Sequence, residues 1–152
     1  MGGPMHYLRV GQCLVSLGRF DEGIKIFGEV WKKIPKQLAV YKNFIRAYSL
    51  KKEPEKALFW AQKGVESFSV RSVEWQALQM EIAVLSSRNG WRDLEDKSLS
   101  ALLESSREPG WYQDAAAFLK GRMSAEDYRA KVAAKYPYQI EDAEEIVRVK
   151  HE

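Results

Sequence analysis

Three aromatic residues, Tyr7, Tyr41 and Trp75, follow one another at one constant interval, in the ~34-residue range typical of internal repeats. Three positions after each stands an apolar residue (Val10, Phe44, Leu78), and seven after each another (Leu14, Tyr48, Ile82). Offsets of three and seven mark one face of a helix turning every ~3.6 residues. A chain that repeats this face at a fixed interval cannot bury it one unit at a time, so neighbouring units must stack.

Each unit continues with a turn and a second helix. In the first, Gly18 suits the turn because glycine takes positive φ at little cost. Asp21 and Glu22 follow in the first turn of the second helix, where the helix dipole favours acids. Pro35 stands where that helix must end. The second unit keeps the plan, with Lys51-Lys52-Glu53-Pro54 as its turn and Ala57, Leu58, Ala61, Gly64 and Val65 on its second helix. Small residues at Gly23/Ala57 and Gly64 allow close helix approach. The third unit begins at Trp75 but reaches its turn, Ser87-Arg88-Asn89-Gly90, about one helical turn late, which predicts a longer first helix. Its second helix, carrying Trp91, Leu94, Ala101, Leu102 and Leu103, is a degenerate version.

The set Tyr7, Val10, Gly11, Leu14, Gly18, Phe20, Gly23, Phe27, Val30 and Pro35 resembles the signature of the tetratricopeptide repeat, whose period is about 34 residues. The second unit matches at Tyr41, Phe44, Tyr48 and Ala57, without the turn glycine and closing proline. The fold expected is all-α: a helix-turn-helix repeat solenoid of about three tetratricopeptide-like units with C-terminal capping helices. The units cover residues 4–37, 38–71 and a degenerate 72–106, and residues 107–152 form a helical cap of the same domain. Within that cap, Trp111 to Lys120, Ser124 to Lys135 and Glu141 to Lys150 read as helices separated by Gly121 and Pro137. Solenoids need polar terminal caps. The segment from Phe118 to Asp127 is similar to helical tails of some bacterial members of the family.

The resemblance implies a non-catalytic module that binds a peptide or helix of a partner protein in a concave groove lined by the first helices. Carried over by position, the groove residues are Leu8, Gln12 and Val15, then Lys42, Asn43, Arg46 and Ser49, then Gln76, Met80 and Ala83. Such a groove is apolar at its ends and cationic at its centre, and fits a partner with an acidic residue inside an apolar segment. Some family members grip acidic chaperone tails with Lys, Asn and Arg from successive units. Here Leu8, Val73 and Ala77 stand at such positions, which argues against that use. The alternative is a self-association or scaffold unit, a homo-oligomer in which an open end of the solenoid meets a second copy.

A third reading is single-stranded RNA, because the helix pairs also resemble the pentatricopeptide repeat. Residues 1–71 hold 13 Lys/Arg against 6 Asp/Glu, a balance of +7, whereas residues 72–152 stand at −4. The lysines form no single track, and Leu8 sits where a base-reading polar residue would be needed. Nucleic acid is therefore disfavoured as a partner.

Catalysis, metals and cofactors find no support. Two His near opposite ends and a single Cys, Cys13, cannot build a Cys/His zinc site. The acids Glu141, Asp142, Glu144 and Glu145 fan around one helix, with Glu144 placed to pair with Arg148. No phosphate loop or nucleophile elbow occurs. No apolar run approaches the ~20 residues of a membrane span. The N-terminus shows no basic stretch followed by an apolar core, which favours a cytoplasmic location; a mature exported domain would look the same.

Overall fold

The computed structural model describes residues 2–151. Among them are nine α-helices, a single 3-10 turn and no strand. The helices are α1 (Pro4–Ser16), α2 (Phe20–Lys33), α3 (Leu38–Leu50), α4 (Pro54–Ser67), α5 (Val73–Asn89), α6 (Arg92–Glu104), α7 (Trp111–Leu119), α8 (Ala125–Lys135) and α9 (Ile140–His151). The 3-10 turn is Pro137–Gln139. Compactness divides the chain into residues 1–69, with α1 to α4, and residues 70–152, with α5 to α9. The third helix pair thus belongs with the C-terminal helices.

In the first unit, α1 packs on α2, α2 on α3 and α3 on α4. Proline opens α1 and α4, where a missing N–H costs nothing. The α1–α2 turn closes with two backbone bonds, Arg19 N–H to Leu14 O at 2.9 Å and Gly18 N–H to Val15 O at 3.0 Å. This is a Schellman ending, and Gly18 takes the left-handed φ of 81° that it requires. The α3–α4 turn repeats those bonds one repeat later, from Glu53 to Tyr48 and from Lys52 to Ser49, with Lys52 itself at φ 64°. The same turn therefore forms where the sequence lacks the glycine, and a lysine bears the strain.

Helix α1 lies close on α2 because two glycines face each other. A methyl group on Gly11 would stand 2.4 Å from the Phe27 ring, and one on Gly23 would stand 2.9 Å from the Gly11 carbonyl oxygen. The core gathers Leu8 and Val15 of α1, Phe27 and Val30 of α2, and Val40, Phe44 and Ala47 of α3. Phe44 stacks on Trp60 with ring centroids 3.7 Å apart and meets Phe27 edge-on at 5.8 Å. Such aromatic pairs add about 0.5–1.5 kcal/mol beyond their buried area.

In the second unit, α5 runs 17 residues against 13 in α1 and α3, as the late turn predicts. Ser72 caps it, its Oγ accepting the Trp75 N–H at 3.1 Å. Gly90, at φ 72°, ends it with another Schellman turn. Gly121 does the same after α7, and Ser124 caps α8 by accepting the Asp127 N–H. Helices α7 and α9 pack back onto α5, and their Ala116, Phe118, Ile146 and Val147 share a core with Met80 and Ala83.

Candidate functional site

The groove positions inferred from the sequence meet three different fates, one per first helix. On α1, Leu8 and Val15 are buried in the first unit's core, and Gln12 between them is half-buried. They pack inward because they share one apolar core with Phe27 and Val30 of α2 and with Val40, Phe44 and Ala47 of α3. These two residues are helix-packing residues in this fold.

On α3, Lys42 and Arg46 are exposed and Ser49 is half-buried. They fall at offsets of four and seven residues, so all three share one face of the helix. The sequence pattern places Asn43 beside them as an amide donor. In the structure it is buried instead, its Nδ2 donating to the Ala39 carbonyl one turn back at 2.7 Å. That bond satisfies a donor which burial would otherwise leave costly.

On α5, all three positions are engaged within the second unit. Met80 and Ala83 lie under α7 and α9. The Gln76 side chain accepts a hydrogen bond from Gln113 Nε2 of α7 at 2.7 Å. That Gln113 is buried, reaches Ser105 Oγ and the Leu102 carbonyl as well, and receives the Gly110 N–H on its own Oε1. Where the groove reading puts a ligand against α5, the chain's own C-terminal helices sit.

The second unit holds a further buried polar group that the sequence does not single out. Asp114 of α7 is almost fully buried, accepts a 2.8 Å hydrogen bond from the Tyr136 hydroxyl and pairs with Lys131 at 3.2 Å. Burial first, then the bond to Asp114, pushes the Tyr136 hydroxyl up to about 12. Burial, reinforced by the same carboxylate, also raises the Tyr128 hydroxyl well above its usual value. Both phenols therefore stay protonated far into alkali, and the arrangement ties α7 to α8 and to Tyr136 just beyond it. An isolated Asp amid alanines in Trp111–Leu119 carries no periodic signal that could reveal this.

Two acids of the patch at the start of α9, Glu144 and Glu145, form ion pairs. Glu144 pairs with Arg129 of α8 at 2.8 Å rather than with Arg148, and that hydrogen bond chiefly lowers its pKa. Arg148 turns to Glu145 at 2.8 Å, and Glu145 also meets Arg88 of α5. Among the described residues no three His, Cys, Asp or Glu side chains converge as a metal site would require. Among them, too, no helix is long and apolar enough to cross a membrane. In comparisons with known proteins, no family model, no curated protein and no solved structure matches the chain.

Proposed function

We propose that this chain is a non-catalytic protein-recognition module built from tetratricopeptide-like helix pairs, and that it holds a peptide or helix of a partner across the exposed face of α3. The observation that carries this reading is the placement of Lys42 and Arg46 one helical turn apart on that face, with Ser49 beyond them and Gln12 half-exposed on α1. A carboxylate meeting two cations gains charge-assisted hydrogen bonds, and Arg donates two parallel N–H bonds to it in bidentate fashion. The ligand is therefore a segment with an acidic residue near its middle. The solenoid reading draws support from the shared register of α1 and α3 and from their identical turns at Gly18 and Lys52.

Selection from a random peptide library on the full chain tests the reading. Peptides with a central Asp or Glu should be enriched, and Lys42→Glu with Arg46→Glu should weaken them by about tenfold or more, some 1.4 kcal/mol. Peptides bound equally by that double variant, still folded by circular dichroism, would sink the assignment.

A further inference from the structure

Helix α1 is apolar on two sides, and the first unit uses only one of them. Leu8, Gly11 and Val15 point into the core. Tyr7, Val10, Leu14 and Leu17, at offsets of three, seven and ten, line the other side. Tyr7 is 52% exposed, Val10 39% and Leu17 73%, and Leu14 is half-buried. A contiguous apolar stripe of this kind marks a contact surface rather than scattered surface residues.

The same unit displays what such a stripe accepts. The positions one repeat later, Tyr41 and Phe44 of α3, are each 1% exposed. Part of their cover is α2: Phe27 meets Phe44 edge-on, and Trp31 Nε1 donates to the Tyr41 hydroxyl at 3.1 Å. The occupant that fits the α1 stripe is accordingly a helix presenting large apolar residues one turn apart, as α2 presents Phe27 and Trp31.

Charge selects whose helix it is. Residues 1–20 contain no Asp or Glu. At the N-terminal end of the stripe, Pro4, Tyr7, Glu29, Val30 and Lys33 line a shallow hollow, with Lys33 Nζ 6.0 Å from the centre of the Tyr7 ring. A second copy docking by the same stripe would set two such acid-free segments, each carrying Arg9 and Arg19, against one another. An acidic helix would not meet that repulsion. We propose that the outward side of α1 binds an amphipathic helix of a partner protein. Aromatic or large aliphatic residues of that helix cover Tyr7, Val10, Leu14 and Leu17, and its flanking Asp or Glu face Lys33. This is a surface separate from the α3 face, with a different kind of ligand.

The probe is a lactam-bridged helical peptide with the sequence of residues 20–34, carrying Lys25→Glu, Lys32→Glu and Lys33→Glu, beside the same peptide with its lysines kept. Each is titrated onto the full chain by fluorescence anisotropy. The acidic peptide should bind at least about tenfold more tightly than the other, and less so as salt is raised. Val10→Glu with Leu17→Glu in the chain should remove that binding by a similar factor, with helix content unchanged. Lys42→Glu with Arg46→Glu should leave it intact. Absence of saturable binding, equal binding of the two peptides, or full binding by the Val10/Leu17 variant would overturn the proposal. So would loss of binding in the Lys42/Arg46 variant, which would place the peptide on α3. A mass that doubles with concentration, and no longer does so in the Val10/Leu17 variant, would assign the stripe to a second copy instead.

Discussion

Helices α1 and α3 carry the same apolar register one repeat apart and end in opposite surroundings. Tyr41 is sealed, its hydroxyl donating to the Pro35 carbonyl at 2.6 Å and lying 3.0 Å from Ser67 Oγ. Tyr7 is half-exposed, with a neighbouring histidine edge-on and a lysine near its face. Phe44 stands between Phe27 and Trp60, whereas Val10 faces solvent. The difference does not lie in the helices. It lies in what flanks them: α3 has α2 before it and α4 after it, and α1 packs on α2 and α3 to one side only. An identical pattern thus means core in one place and contact surface in the other, because burial belongs to the neighbour as much as to the residue.

The sharpest way to break the comparison is to truncate both members of one register pair. Phe44→Ala removes a fully buried ring and should cost about 3–5 kcal/mol in urea unfolding. Val10→Ala should change stability by about 0.5 kcal/mol or less. Similar losses at both positions would mean that the α1 stripe is covered in solution.

A smaller effect concerns the interhelical contact. Ala57 is tolerated on α4 at the position equivalent to Gly23, and both are buried. On α2 an added methyl would meet the Gly11 carbonyl oxygen at 2.9 Å and a Val15 methyl at 2.7 Å. Gly23→Ala should therefore cost about 1–3 kcal/mol by overpacking, even though alanine favours helix elsewhere. A stabilised Gly23→Ala protein in thermal melts would show that α1 and α2 lie farther apart than described.

The smallest expected effect separates the two turns. Gly18 and Lys52 occupy the same left-handed position, and only the glycine does so without steric cost. Lys52→Gly should gain about 1 kcal/mol, raising Tm by about 2–4 °C for a chain of this size. Gly18→Ala should lose a comparable amount. If Lys52→Gly gave no gain, the Lys52 side chain would have to supply a compensating interaction.

Local structure is legible in the sequence to within a residue or two at most helix ends. Gly18, Gly90 and Gly121 stop helices because a left-handed residue is needed there, and Ser124 starts one by accepting a free N–H. Periodicity locates the helices, and the late arrival of Gly90 announces the longer α5. The candidate site is far less legible. Periodicity reports which residues share a side of a helix, and is silent about what covers that side. Leu8 and Val15 hold groove positions by spacing, yet the core they share with α2 and α3 claims them. Met80 and Ala83 do so in the same way, and α7 and α9 claim them. Asn43 counts as an outward donor by its position, and its bond to Ala39 turns it inward.

What the sequence determined by itself, then, is the class and the punctuation: an all-helical chain, its turns, its caps and the residues able to face a core. These depend on interactions within a few residues, where spacing and side-chain chemistry are sufficient. Tertiary structure alone decided which apolar sides are filled and which are left to solvent. It closed α5 beneath the C-terminal helices, left Lys42 and Arg46 on the surface, and left the stripe from Tyr7 to Leu17 open. Those outcomes depend on elements far apart in the chain, whose packing no local pattern encodes.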